Sequence, residues 1–528
     1  MRHALLAPLA LILLVGLVHP LHAADAPKHD ATSHDDKDKK KTELPIPPER
    51  SEVTTHRVTI DGRTIAYKAT AGTLLIRDDK GKPTVSMFYV AYTVDKGRGD
   101  GGKSANRPVT FMYNGGPGSS SMWLHMGSFG PVRVANQGDK PIPPPPYSTV
   151  PNQYSLLDKS DLVFIDAPGT GYSQLVGEAK GKDFYGIDQD ADAFAKFITR
   201  YVGDNHRWNS PKFLFGESYG TTRSAVLAKV LQGQGMELNG IVLMSSILDF
   251  NVWASTGVDH AYIVNLPSEA AIAWYHDKVP DKSGPNSPAD LASFIDTVRH
   301  FASTDYTLAL AKGDAITPAE VDRIAGQLSR YTGLSTTYIK EANLRIDPSR
   351  FRKELLRDQR RTVGRLDGRF EGIDADAAGE SPDGDAASDA ATGAYNAAFN
   401  QYAANVLKYT SDDSYMPNNY PVIGRHWDWN RKGHQGITST PDVGVDLAAA
   451  MRRNPHLKVF SANGYYDLAT PFYATEFDLG HLGLDPEIRK NIEFGFYPSG
   501  HMIYLDVDAL KQVKADLARF YDEAAPRS

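Results

Sequence analysis

Apolar residues along this chain recur in two rhythms, and the way these alternate predicts the architecture. Val58-Thr59-Ile60 and Thr64-Ile65-Ala66-Tyr67 flank Asp61-Gly62, a two-residue hairpin signal, because both turn positions must adopt positive φ. A second pair, Leu74 to Arg77 and Val85 to Val94, turns on Asp79-Lys80-Gly81-Lys82-Pro83. Later runs are short and almost continuously apolar: Val109 to Tyr113, Leu162 to Ile165, Phe213 to Phe215, Ile241 to Met244, Val459-Phe460 and Ile492 to Phe496. Between several of them the period becomes helical, as where Ala191, Phe194, Ile198 and Tyr201 share one face. Strands without a polar face, separated by helices, predict a mostly parallel sheet covered on both sides, an α/β fold. In such sheets ligands meet the loops after the carboxyl ends of the strands. Those loops are where chemistry is expected.

The chain start and the composition narrow the picture. Arg2 and His3 precede an apolar run from Ala4 to Val18 and a small-residue cleavage site at Leu21-His22-Ala23-Ala24, the anatomy of a secretory signal peptide. His19-Pro20 interrupts the run before the roughly 20 apolar residues that a membrane span needs. Residues 1–23 are therefore expected to be removed on export to the periplasm or beyond, leaving a mature protein with no membrane span. Residues 24–52 include Asp35-Asp36-Lys37-Asp38-Lys39-Lys40-Lys41 and Pro45, Pro47 and Pro48. They carry too little apolar surface to offset chain entropy and read as a disordered polar leader. Within it His29 and His34 read as solvated linker, not metal ligands. The 528 residues are 41% apolar and 23% charged, a globular composition. With 57 basic and 64 acidic side chains the net charge is −7, which argues against a nucleic-acid partner. There is no cysteine, which removes disulfides, thiolate metal sites and cysteine nucleophiles together.

Four post-strand loops hold candidate chemistry. After Phe213 to Phe215 comes Gly216-Glu217-Ser218-Tyr219-Gly220, followed by a helical run. Gly-x-Ser-x-Gly between strand and helix is a nucleophile elbow, whose small flanking residues permit the sharp turn that exposes Ser218. A serine alcohol needs a base held by a third group, and in this fold the order is Ser, acid, His. Asp467 follows the Val459-Phe460 strand in Asn463-Gly464-Tyr465-Tyr466-Asp467, and His501 follows the Ile492–Phe496 strand in Pro498-Ser499-Gly500-His501-Met502. The 34 residues separating them suit one helix and one strand. His206 and His456 read as surface residues, and Asp506 and Asp508 follow His501, so they come in the wrong order for the acid. After Val109 to Tyr113 comes Asn114-Gly115-Gly116-Pro117-Gly118-Ser119-Ser120-Ser121. Its glycines fit either close backbone approach to a ligand or a plain tight turn. It is not a Walker loop, since no Gly-Lys-Ser/Thr follows.

These motifs, together with Asp166-x-Pro168-x-x-Gly171-Tyr172-Ser173 and Gly500-His501-Met502, make the chain resemble a bacterial-type member of the serine carboxypeptidase (peptidase S10) family. The resemblance implies an α/β-hydrolase fold with Ser218 as nucleophile, His501 as general base then acid, and Asp467 orienting the imidazole. It implies an oxyanion hole from the backbone N–H groups of Gly116 and Tyr219, and recognition of a substrate carboxylate by Asn114 and Glu217. An acid can join an amide in binding a carboxylate only when protonated, because two anions sharing a site raise the pKa. Peptide cleavage is therefore expected to favour acidic pH. Better-known eukaryotic members carry a further Glu fourteen residues after the motif Asn, where this chain has Ser128. They also carry disulfides, and a Cys where this chain has Ser119.

From Ser218 to Asp467 the chain runs 249 residues, far more than the intervening sheet elements require. Ser287-Pro288-Ala289-Asp290 and the capping box Thr317-Pro318-Ala319-Glu320 each precede apolar residues at helical spacing. A mainly helical cap over residues 252–410 is expected, splitting a hydrolase domain into 53–251 and 411–528. Within it, Glu371 to Asp389 holds seven acids and no base, loosely like a calcium loop but without the bidentate Glu, and reads as a mobile acidic loop. Pro141 to Pro146 reads as a stiff polyproline segment. The expected function is a cofactor-free, metal-free serine carboxypeptidase acting on peptides or proteins. An esterase or acyltransferase using the same triad, or a non-catalytic binding protein, are the alternatives.

Overall fold

The computed structural model describes residues 43–95, 106–136, 138, 140–253, 259–280, 288–431 and 440–525. The expected signal peptide, most of the expected leader with His29 and His34, and Ser287 lie outside them. Nine strands form the path of a ten-stranded sheet: β1 (Ser51–Ile60), β2 (Arg63–Arg77), β3 (Pro83–Val94), β4 (Val109–Tyr113), β5 (Asp161–Ile165), β6 (Lys212–Glu217), β7 (Gly240–Met244), β8 (Lys458–Gly464) and β9 (Ile492–Tyr497). Their order is β1-β2-β3-β5-β4-β6-β7-β8-β9, and a short strand, Gln174–Leu175, pairs with β3. Pairing is antiparallel from β1 through β5 and parallel from β5 to β9. Each apolar run read from the sequence is one of these strands. Asp61 (φ 47°) and Gly62 (φ 75°) make the expected two-residue turn between the paired residues Ile60 and Arg63.

Two sequence expectations are corrected at the chain start. The two hairpins share one continuous β2, so they form a three-stranded meander. Gly72 lets the chain continue, because a Cβ there would lie 2.5 Å from the Arg50 carbonyl. The leader also ends earlier than residue 52. Leu44 exchanges two backbone hydrogen bonds with Gly177 (2.8 and 3.0 Å). The Glu49 carboxylate accepts from the Leu75 N–H (2.6 Å) and from Arg200 Nη2 (2.8 Å). This segment is held by partners on remote elements and not by apolar burial, which is why its composition misleads.

Ten helices matter here: α1 (Met122–Gly127), α2 (Ile187–Asp204), α3 (Tyr219–Gly233), α4 (His260–Tyr275), α5 (Pro288–Phe301), α6 (Pro318–Thr332), α7 (Ala386–Asn405), α8 (Gly444–Arg453), α9 (Phe472–Gly480) and α10 (Val507–Ala524). Side chains alternate across the parallel strands and bury on both faces. Phe111 and Tyr113 of β4 join Phe194 and Tyr201 of α2, Leu231 of α3 and Met451 of α8. Met112 of β4 and Phe213 and Phe215 of β6 join Leu124 of α1, Phe399 of α7 and Leu517 of α10. Each such side chain, fully withdrawn from water, contributes about 1.5–3 kcal/mol. A third cluster gathers Ile272 of α4, Ile295 of α5 and Leu328 of α6 against Tyr465, Tyr466 and Leu468, just beyond β8. The Thr317–Glu320 capping box forms, with Gly333 in the left-handed conformation closing α6. The long chain segment between β7 and β8 is thereby packed onto the carboxyl end of β8.

Candidate active site

The elbow follows from steric necessity. Ser218 sits between β6 and α3 at φ 61°, ψ −132°, a region an L-residue occupies only under constraint from its surroundings. A Cβ on Gly216 would lie 2.1 Å from the Gly220 carbonyl oxygen, and one on Gly220 would lie 2.8 Å from that of Tyr113. Only glycine fits either place. The Ser218 N–H donates to the Met244 carbonyl (3.0 Å), and its carbonyl accepts from the Thr221 N–H (2.8 Å). The side chain stays half-buried at the start of α3, where first-turn N–H groups lack intrahelical acceptors and favour negative charge.

His501 and Asp467, both buried, meet with Nδ1 and Oδ2 2.8 Å apart. Asp467 Oδ1 accepts from the N–H groups of Ala469 (2.7 Å) and Thr470 (3.0 Å). The Thr470 hydroxyl lies 2.8 Å from Asp467 Oδ2 and 3.1 Å from His501 Nδ1, so the carboxylate is held from three sides. Burial alone would lower the imidazole pKa. The Asp467 charge and hydrogen bond outweigh it and hold the pKa above its ordinary value.

The glycine loop after β4 lies against the elbow. A Cβ on Gly115 would stand 2.3 Å from the Tyr219 nitrogen, and Gly116 adopts φ 103°. Arg223 of α3 anchors the loop from below: its Nη1 donates to the Asn114 carbonyl (2.7 Å), while Asp190 neutralises it through two contacts (2.6 and 3.1 Å). Asp166 anchors the far end, accepting from the Ser121 N–H and hydroxyl (2.8 Å each). A Cβ at Gly171 would lie 1.8 Å from that carboxylate, which accounts for the glycine of the Asp166 motif. Asn114 Oδ1 accepts from the Leu124 N–H (2.9 Å). Glu217 is 2% exposed; its Oε1 accepts from the Tyr504 hydroxyl (3.2 Å), and among the described residues Oε2 has no hydrogen-bond partner. Burial pushes Glu217 up to about 7, against the opposing pull of His501 and of the nearby Tyr504 and Asn114 side chains.

Ser218, His501, Asn114, Gly116 and Glu217 line one cavity of about 560 Å³, walled further by Trp123, Trp253, Trp429 and Tyr420. Asp467 stands behind His501, and the Tyr219 N–H begins α3 beside Ser218. The seven candidate residues are thus gathered at one end of the sheet. Ser128 is not at the cavity wall; its hydroxyl is bonded back to the Leu124 carbonyl (2.6 Å).

Other residues of the site carried no sequence signal. Leu366 accepts the His501 N–H (2.6 Å). Asp367 accepts the Gly500 N–H (3.1 Å), and Arg369 holds Asp367 (2.8 Å), the Pro498 carbonyl (3.0 Å) and Asp506 (2.8 Å). A Cβ on Gly500 would clash with Asp367 Cβ at 2.4 Å. The segment 366–369 therefore straps the His501 loop in place. The acidic stretch is braced as well, not mobile as expected from its composition. Asp374 pairs with Lys353 (2.6 Å), Asp383 accepts from the Ala375 N–H (2.8 Å), and Asp385 caps α7.

The family model described as serine carboxypeptidase, peptidase S10, matches residues 63–300. Pheromone-processing carboxypeptidase KEX1 of Saccharomyces cerevisiae is 30% identical over 150 residues, covering 27% of this chain and 19% of that protein. The protein of the same name from Yarrowia lipolytica is 31% identical over 153 residues, covering 28% of this chain and 23% of that protein. The chain thus matches about a fifth of the length of these curated relatives. The solved structure of Kex1p, a prohormone-processing carboxypeptidase from S. cerevisiae, shares the fold, with a TM-score of 0.50 at 15% identity over 87% of this chain and 92% of that one. The mostly parallel sheet and the elbow are those of the α/β-hydrolase fold. The matched residues 63–300 include the glycine loop and the Ser218 elbow, and Asp467 and His501 lie beyond them.

Proposed function

We propose that this protein is a serine-type carboxypeptidase that hydrolyses C-terminal peptide bonds through an acyl-enzyme, favours acidic pH, and works outside the cytoplasm after export. One observation carries the reading: Ser218 and the His501–Asp467 pair open into the same cavity as Asn114 and Glu217. An amide donor and a protonated acid there suit the free carboxylate of a peptide's last residue. Ser218 Oγ attacks the scissile carbonyl carbon while its proton passes to His501 Nε2. The N–H groups of Gly116 and Tyr219 receive the negative charge on the carbonyl oxygen. The tetrahedral adduct collapses, the C–N bond breaks, and the leaving amine takes the proton from His501. Water then gives a proton to His501 and attacks the ester carbon; the C–Oγ bond breaks, and His501 returns the proton to Ser218 Oγ, freeing the acid product. Asp467 keeps Nδ1 as the donor throughout, so Nε2 is free to act. No cofactor enters any step.

Digestion of a peptide library, read by mass spectrometry beside Ser218→Ala, tests the reading. Stepwise C-terminal shortening that disappears in the variant is the expected result; internal cuts, or shortening that persists, overturn it. A second reading, an esterase or acyltransferase on the same triad, is favoured by Ser128, whose hydroxyl is bonded to Leu124 and leaves the site one acid short of the better-known members. A peptide acid, its C-terminal amide and a simple ester separate the two, since only a carboxypeptidase prefers the free acid. A non-catalytic binding protein would leave Ser218 unlabelled by a fluorophosphonate.

A further inference from the structure

The cavity wall includes a cation that the proposed reaction does not use. Arg365 lines it beside Ser218 and His501, with its guanidinium 5.9 Å from the ring centre of Trp253. Its backbone is fixed from both sides: the Arg365 N–H donates to Asp385 (3.2 Å), and the Arg365 carbonyl accepts from the Leu468 N–H (3.0 Å), next to Asp467. Arg365 is thus mounted on the strap that holds the His501 loop, and its charge is felt at the imidazole, where it opposes protonation.

The two acids of the cavity do not neutralise it. Asp385 is engaged by four backbone N–H groups, those of Arg365, Leu366, Ala387 and Ser388 (3.0–3.2 Å). Glu217 belongs to the elbow side, bonded to Tyr504. Among the described residues no carboxylate forms an ion pair with Arg365. The stretches 254–258 and 432–439, close in sequence to Trp253 and Trp429, contain no Asp or Glu. A guanidinium without a carboxylate partner, in a substrate cavity and beside an indole face, is complementary to an anion on an aliphatic stem.

We infer that Arg365 is a specificity-determining residue that binds an acidic side chain, Asp or Glu, in the substrate residue adjoining the scissile bond. The anion pairs with the guanidinium while the methylene stem lies against Trp253. The inference rests on the proposed peptidase reading. It differs from terminal-carboxylate recognition, which the proposed reading gives to Asn114 and Glu217. A pair formed at the cavity wall is partly open to solvent, so salt weakens it.

The test pairs Arg365→Gln with peptides that differ only in Glu against Gln next to the cleaved bond, each as free acid and as C-terminal amide. The wild type should prefer Glu by about tenfold or more in kcat/KM, chiefly through KM and decreasingly with salt. Arg365→Gln should erase that preference, Arg365→Lys should restore part of it, and the free-acid preference should persist in both. Equal use of Glu and Gln peptides by the wild type overturns the inference. So does an Arg365→Gln variant that loses the free-acid preference but keeps that for Glu, which would make the terminal carboxylate the ligand. Titration of the Ser218→Ala protein with the same peptides measures the preference as binding. If no peptide is cleaved yet Glu peptides bind more tightly, the peptidase reading fails and the Arg365 site stands.

Discussion

Glu217→Gln separates carboxylate recognition from the triad chemistry. Burial pushes Glu217 up to about 7, so its protonated fraction falls from about 99% near pH 5 to about 9% near pH 8. If only protonated Glu217 joins Asn114 in holding a peptide carboxylate, kcat/KM for a free-acid peptide carries that factor. An ester lacking a free carboxylate does not carry it. Both substrates need neutral His501, so dividing the peptide's kcat/KM by that of an ester of the same acyl group cancels the imidazole ionisation. In the wild type this ratio should fall about tenfold between about pH 6 and about pH 8. Glutamine is neutral throughout and can donate, so in Glu217→Gln the ratio should be flat. The groups facing Glu217 also predict a second effect. His501 is held up partly by the Glu217 charge, so the variant's activity on the ester should extend to lower pH. A wild-type ratio that is constant or rises over this range refutes the reasoning, as does a variant that keeps the fall.

Asp467→Asn should leave the fold intact but lower kcat by about 10⁴-fold, because an amide at Oδ2 favours the wrong imidazole tautomer; steady-state kinetics against an unchanged circular-dichroism spectrum check this. Arg223→Met leaves Asp190 charged with both side chains at 0–1% exposure and should cost about 3–5 kcal/mol in denaturant unfolding. Adding Asp190→Leu should recover most of the loss. Glu269 of α4 is buried, its Oε1 has no hydrogen-bond partner among the described residues, and burial, with Asp347 adding to it, holds its pKa well above the ordinary value. An acid whose folded pKa is raised keeps its proton more tightly when folded, so its contribution is fully present below about pH 4.5 and is lost as pH rises from there toward the folded pKa. Glu269→Gln should flatten that part of the stability profile; an unchanged pH dependence of the unfolding midpoint would assign it elsewhere.

The parts legible in the sequence share a physical character. Continuous apolar runs such as Val109–Tyr113 can bury only between two helical layers, and Gly216 and Gly220 mark a turn no other residue can make. Ser218, Asp467 and His501 each follow a strand of the same layered sheet, β6, β8 and β9 in turn. What escaped depends on contacts remote in sequence between residues of ordinary type. Asp367 meets Gly500 across 133 residues, Tyr504 meets Glu217 across 287, and Arg223 meets Asn114 across 109. No local period encodes such pairs. Composition misled at residues 43–52 and 371–389 for a related reason, since polar segments there gain order through hydrogen bonds to specific partners.

The strap at 366–369 has a consequence for when activity arises during folding. The parallel sheet can align Ser218 by itself, but the His501 loop takes its position from hydrogen bonds with Leu366 and Asp367. Those residues are carried on the segment between β7 and β8, whose loop closure is long and entropically slow. A chain with a formed sheet and an undocked strap therefore has its nucleophile in place and its base adrift. Such a chain also lacks the core residues carried on that segment, so the base is aligned only when the contacts longest in sequence have formed.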